Sequence, residues 1–251
     1  MPTCLLIRHG RTTANAGGVL AGWTPGVGLD DVGRDQATRL GDLLGAGHGE
    51  SDRALAPVLV ASSPLQRCQE TAELVRDAAW PGLPVITDDR FAECRYGAWT
   101  GRSLKDLASE PLWKTVQNQP SAARFPDGDD FPGESLTAMS ARMLDAVREH
   151  DRRVHDEHGP HAVWVLVSHG DPIKAVLADA GGAHLDAFQR YVVSPASVSA
   201  IRYTAERPFL LVANASGNGL ADLVASLTAP AHDSADSSGT ADGEAAVGGG
   251  R

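Results

Sequence analysis

An α/β fold built on an open sheet is predicted by three features of the sequence. Cys4-Leu5-Leu6-Ile7 reads as a buried strand that ends in Arg8-His9-Gly10. Val163 to Val167 reads as a second, ending in Ser168-His169-Gly170. Between them, Val58-Leu59-Val60-Ala61 passes through Ser62-Ser63-Pro64 into a helical pattern, which is the strand-loop-helix alternation of α/β proteins. In such sheets reactive groups gather at the carboxyl edge of the strands. Two strands that both deliver a His-Gly pair therefore point to one pocket holding both imidazoles. For one strand alone, a His satisfying nearby backbone groups is the simpler account; the pair, with Arg8 beside one member, favours a site.

Taken in order, Arg11 to Gly28 holds Asn15 and many glycines and is too broken for a regular element, so it is expected to wrap the pocket mouth. Asp30 and Asp31 supply helix-start chemistry before the apolar stripe Val32, Ala37, Leu40 and Leu44. Gly33 weakens the first turn, through either close packing or tolerance at a fraying end, and Gly41 weakens later ones. Gly45, Gly47 and Gly49 are expected to stop the helix. Pro64 fits the first turn of the next helix, because its missing N–H costs nothing there. Arg67, about one turn in, can point back across the strand end; its alternative is a solvated helix arginine.

Pro84-Val85-Ile86-Thr87 is a third strand candidate, followed by Glu93 in a glycine-rich loop. Glu93 alone reads as a surface carboxylate, although a carboxylic acid held near a phosphate can donate a proton to a departing alcohol. Ser103 to Phe131 reads as helical pieces and loops, a cap inserted at about 103–133 whose aromatic residues shape the substrate side. Pro132 to Ser135 opens a longer helix with Leu136, Met139, Met143 and Val147 on one face, where the methionines fill core. His155, His158 and His161 have a ligand-like spacing, but the intervening Glu and Gly favour a solvated helix end over zinc. Asp171 and Pro172 mark the first turn of another helix, which sets His169 beside amides that favour an anion. Ser197 to Tyr203 and Phe209 to Asn214 read as an antiparallel hairpin at the sheet edge. One domain over 1–229 and a disordered tail over 230–251, where Gly, Ala, Ser and Asp dominate, complete the expectation.

The 251 residues, 42% of them apolar, can bury a substantial core. A formal charge of -10, from 22 Lys and Arg against 32 Asp and Glu, argues against nucleic acid as a partner, yet leaves room for a local cationic pocket. Cys4, Cys68 and Cys94 show no metal-like spacing and fit a reducing cytoplasm. None has Arg six residues later, which excludes a Cys-x5-Arg phosphatase loop. No basic-then-hydrophobic leader precedes the first strand, and no apolar stretch approaches bilayer length, so no membrane association is expected.

Leu6-Ile7-Arg8-His9-Gly10, Ser62-Ser63-Pro64-Leu65-Gln66-Arg67, Glu93 with Tyr96-Gly97-Ala98-Trp99-Thr100-Gly101, and Ser168-His169-Gly170 occur in one order. In that order they resemble the histidine phosphatase superfamily, also called phosphoglycerate mutase-like, across roughly residues 3–214. The resemblance implies a three-layer α/β/α sandwich with a mostly parallel central sheet, no metal and no other cofactor. It implies that His9 becomes phosphorylated, with Arg8, Arg67 and His169 around the transferring group and Asn15 as a further donor to it. Glu93 would protonate the leaving group and then activate water. The chemistry agrees, because a neutral imidazole attacks phosphorus without prior deprotonation and guanidinium forks match phosphate oxygens.

The function expected is that of a metal-independent phosphatase acting on a small-molecule phosphate monoester. The alternatives are a phosphoglycerate mutase and a non-catalytic phosphate-binding or regulatory protein. Against the mutase, Cys94 and Asp171 stand where mutases usually place Arg and Asn. The segment 104–133 also offers only Arg124 in place of an Arg-Arg pair, although cap geometry can bring in Arg95, Lys105 or Arg124. A carboxylate at Asp171 repels an acidic substrate unless it turns away to cap its helix. The sequence leaves oligomeric state open.

Overall fold

The computed structural model describes residues 2–46 and 54–228. Its elements run β1 (Thr3–Arg8), α1 (Thr13–Ala16), α2 (Asp31–Gly45), β2 (Leu59–Ser62), α3 (Gln66–Ala79), β3 (Val85–Thr87), α4 (Leu104–Leu107), α5 (Pro111–Asn118), α6 (Leu136–His158), β4 (Val163–Ser168), α7 (Gly170–Ala180), β5 (Val198–Tyr203), β6 (Pro208–Ala215) and α8 (Asn218–Thr228). The strands form one sheet in the order β3-β2-β4-β1-β5-β6. The first four are mutually parallel; β5 runs antiparallel to β1, and β6 antiparallel to β5. The edge hairpin expected from the sequence is thus present.

Alternation along the central strands decides the layers. Leu5 and Ile7 of β1, with Val165 and Val167 of β4, pack under α2, α3 and α8 in one core, which includes Leu40, Leu44, Val75 and Leu220. Cys4 and Leu6, with Trp164 and Leu166, point the other way and pack under α6 and α7 against Met143, Val147, Ile173 and Val176. Continuous apolar runs are what a parallel sheet covered on both faces requires. The result is the three-layer α/β/α sandwich. A third cluster joins the segment between β3 and α6 to this sandwich: Leu107, Val116, Trp99 and Phe125 pack with Leu136 and Met139 of α6 and Ala175 and Ala178 of α7.

Several local expectations are met or corrected. Asp30 caps α2, its side chain accepting from the Gly33 amide at 2.8 Å. Close packing is the reason for Gly33: a Cβ there would collide with the Arg11 backbone, and one on Gly10 would lie 2.5 Å from the Gly33 carbonyl oxygen. Side chains at either position would push α2 away from the loop that carries His9. Pro64 lies two residues before α3 instead of in its first turn, and Arg67 is the second helical residue, not one turn in. The broken segment after β1 contains one short turn, α1, closed by a capping box between Thr12 and Asn15. Helix α8 had no counterpart in the sequence reading. Gly47, Gly49 and the 230–251 tail lie outside the described residues. Among the described residues no helix is long and apolar enough to cross a membrane.

Candidate active site

The register of β1 on β4 pairs Arg8 with Ser168, so the two strand ends deliver His9 and His169 side by side. Their ring centroids are 5.2 Å apart in an edge-on arrangement. The His9 amide donates to the Ser168 carbonyl at 3.0 Å, which locks the two ends together. His9 is 3% exposed, and its Nδ1 lies 2.7 Å from the Gly10 carbonyl oxygen. A carbonyl oxygen only accepts, so Nδ1 carries the proton and Nε2 carries the lone pair. Arg67 Nε donates toward that Nε2 at 3.3 Å, while Arg67 Nη2 donates to the Gly22 carbonyl at 2.9 Å. Burial, with Arg67 and Arg8 nearby, holds His9 well below the usual imidazole pKa, so the ring is neutral.

His9, Arg8 and Arg67 open onto a cavity of about 280 Å³, which Glu93, Asn15 and Asp171 also line. Arg8 Nη1 donates to the Val193 carbonyl at 2.6 Å, and its buried Nε has no partner among the described residues. Burial draws the Arg8 pKa down from its ordinary value, against the pull of Glu93 and Asp171. Asn15 spends its side-chain oxygen on Thr12, accepting from the Thr12 amide at 3.1 Å and its hydroxyl at 3.0 Å. The Asn15 NH2 group keeps both of its donors.

Glu93 is not the surface carboxylate that its isolated reading suggests; it is 8% exposed and accepts from the Cys94 amide at 2.9 Å. Burial and then the Asp171 charge push its pKa up to about 7, against Arg67, the Cys94 amide and Arg8. Asp171 does not turn away to cap α7. It lines the cavity, accepting from the Tyr96 hydroxyl at 2.8 Å and from Lys174 Nζ at 3.4 Å.

His169 is placed differently from the sequence expectation. It is fully buried behind His9, does not line the cavity, and has Nε2 2.7 Å from the Ser63 hydroxyl. Burial and then Arg67 hold it well below the usual imidazole pKa, so it is neutral. The cations considered for a substrate acid group are elsewhere: Arg95 stacks over Trp23 at 4.0 Å beside a separate cavity, and Lys105 and Arg124 do not line the site. His155 and His158 lie in the last turn of α6, and among the described residues no group of three or more His, Cys, Asp or Glu is placed to hold a metal.

Comparison with known proteins decides the family. The sequence model of the histidine phosphatase superfamily (branch 1) matches residues 4–216. The chain belongs to that superfamily. It is 30% identical over 184 residues to a glucosyl-3-phosphoglycerate phosphatase of Mycolicibacterium vanbaalenii, covering 72% of this chain and 75% of that one. It is 39% identical over 100 residues to a 2,3-bisphosphoglycerate-dependent phosphoglycerate mutase of Mycobacterium leprae, covering 39% and 38%. Among solved structures, the α-ribazole phosphatase of Shigella flexneri superposes with a TM-score of 0.68 at 27% identity, covering 85% of this chain and 96% of that one. The superfamily places the chain among phosphohistidine-type hydrolases of small phosphorylated metabolites.

In this superfamily member, two supporting residues escaped the sequence reading. Ser63 stands in the Ser62-Ser63-Pro64 turn, and its hydroxyl is a partner of His169. Arg142, on α6, donates to the carbonyls of Arg90, Ala92 and Glu93 at 2.7, 2.8 and 2.9 Å and pairs with Glu134 at 2.6 Å. It clamps the turn that carries Glu93.

Proposed function

We propose that the protein is a phosphoric monoester hydrolase that works through a phosphohistidine at His9. The observation that carries this reading is the His9 tautomer: Gly10 holds the Nδ1 proton, so the Nε2 lone pair faces a cavity that also presents Arg67 and a protonatable Glu93. In the first step His9 Nε2 attacks phosphorus, the bond to the alcohol oxygen breaks, and Glu93 gives its proton to that oxygen. The unpartnered Arg8 Nε, Arg67 and the Asn15 NH2 group are suited to the phosphoryl oxygens. In the second step the Glu93 carboxylate takes a proton from water, the water oxygen attacks phosphorus, and the N–P bond breaks to release inorganic phosphate. His169, closed off by Ser63, keeps the His9 ring in line for attack. A cytoplasmic location is supported by three buried free cysteines.

Names of relatives do not separate phosphatase from mutase, because both kinds match. The cavity favours the phosphatase: its one cation besides Arg8 and Arg67 is Lys174, already paired with Asp171. Beyond the phosphate end, a substrate carboxylate finds no unpaired cation among the described residues lining the cavity. The test traps labelled phosphate on the wild-type protein and maps it under conditions that preserve acid-labile phosphohistidine, with phosphate release and 3-phosphoglycerate isomerisation followed in parallel. Label at His9 with phosphate release is expected. Primer-dependent isomerisation far exceeding release would make the protein a mutase, and tight phosphate binding without turnover would make it a binding module.

A further inference from the structure

The cavity that His9 lines also has an aromatic side. Four aromatic side chains line it in mutual contact: Tyr96 meets Phe125 at 5.0 Å, Phe125 meets Trp99 at 5.3 Å, and Trp99 stacks with Trp113 at 6.2 Å. Tyr96, Trp99 and Phe125 are buried and Trp113 is half-buried, so Trp113 presents the more open flat face, backed by the other three. Between this wall and the phosphate end stands Asp171, fixed by the Tyr96 hydroxyl at 2.8 Å, whose own pKa is raised by burial and by Asp171. Lys174 is committed twice, to Asp171 at 3.4 Å and to Gln189 Oε1 at 3.0 Å. A carboxylate entering here would meet the Asp171 charge and would have to break the Lys174 pair for a partner.

We infer that the alcohol released is uncharged and carries a flat apolar or aryl portion that packs on Trp99 and Trp113, and that Asp171 excludes carboxylated phosphomonoesters. The inference rests on the phosphatase reading, since it names the alcohol which that reading releases. The cavity, about 280 Å³, falls just below the usual range for ligand sites, roughly 300–1,000 Å³, which limits the alcohol to about one ring system. Repulsion by one partly paired carboxylate at this depth is worth about tenfold in affinity.

The test measures binding, so it does not depend on turnover. Two phosphonates of similar chain length, 3-phenylpropylphosphonate and 4-phosphonobutyrate, are titrated by calorimetry into the full-length protein. The wild type is expected to bind the phenyl ligand at least about tenfold tighter. Asp171→Asn, which can still accept from Tyr96, is expected to tighten 4-phosphonobutyrate about tenfold and to move the phenyl ligand less than about twofold. Trp113→Ala should weaken only the phenyl ligand. Equal or tighter wild-type binding of 4-phosphonobutyrate overturns the inference, as does an unchanged ratio in a folded Asp171→Asn protein. Absence of phosphohistidine with the ligand ranking intact would instead overturn the phosphatase reading and leave the shape and charge of the site as inferred.

Discussion

The two His-Gly strand ends carry the same motif and lie side by side, yet they are placed differently. His9 lines a cavity, and its Nε2 lone pair accepts only a long contact, from Arg67 Nε at 3.3 Å. His169 sits one layer deeper, off the cavity, its Nε2 tied to Ser63. Both rings are kept neutral by burial first and by neighbouring arginines second. Neutrality is therefore common to the pair, and access to the cavity is what separates the proposed nucleophile from its proposed support. A motif specifies a residue type at a strand end; which face of that residue meets the ligand depends on what packs behind it.

The largest expected effect falls on the exposed member. His9→Ala should abolish phosphorylation and turnover, because among the described residues no other imidazole and no thiol lines the cavity, while the melting temperature stays close to wild type. Measurable His9→Ala turnover, or label on another residue, would break the contrast between the two histidines.

Glu93→Gln comes next. General acid catalysis is worth about 10²–10⁴-fold, so alkyl phosphates should lose roughly that much in the phosphorylation step and aryl phosphates, whose leaving groups need less protonation, far less. The raised Glu93 pKa also fixes the pH profile: kcat/KM should fall as pH rises through about 7, and this limb should vanish in Glu93→Gln. The same shift carries a stability sign. A carboxyl whose folded pKa lies above its unfolded value binds its proton more tightly when folded, so the stability it contributes is lost as pH rises from roughly 4.5 to 7. Wild type should thus lose more thermal stability between pH 5 and pH 8 than Glu93→Gln does, and identical losses would place the carboxyl in water.

His169→Ala should slow phosphorylation by about 10²-fold, the scale of losing one preorganised group, without removing label from His9. If it matches His9→Ala in completeness, the inner imidazole touches the phosphoryl group after all. The smallest effect belongs to Ser63→Ala, which leaves the buried His169 Nε2 without its hydroxyl partner. A stability loss of about 1–3 kcal/mol and a roughly tenfold fall in kcat with KM unchanged are expected. A rise in KM alone would make Ser63 a binding residue.

Particular residues show how far the sequence was legible. Strands β1 and β4 were plain because both faces of a parallel sheet are buried, which leaves an uninterrupted apolar run that ends sharply. The stripe Leu136, Met139, Met143 and Val147 was plain for the matching reason on a helix, and all four are fully buried. Helix α8 was missed because Asn218–Thr228 follows a strand candidate without a strong start signal, and its apolar residues acquire meaning only against the core they cover. Arg142 was missed because an arginine on a helix is ordinarily a solvated charge, and nothing local reveals three carbonyls converging on it.

By itself the sequence determined the α/β class, the order of the central elements and the identity of the groups brought to the strand ends. Those follow from periodicity and residue chemistry, which are local. Tertiary structure alone decided that Glu93 is buried beside Asp171 and holds a proton near neutrality, that Asp171 faces the cavity instead of capping α7, and that His169 stands behind His9. Each of these depends on desolvation and on charges brought together from distant parts of the chain, and a titrating group responds to the distance and dielectric of its surroundings, which no stretch of sequence contains.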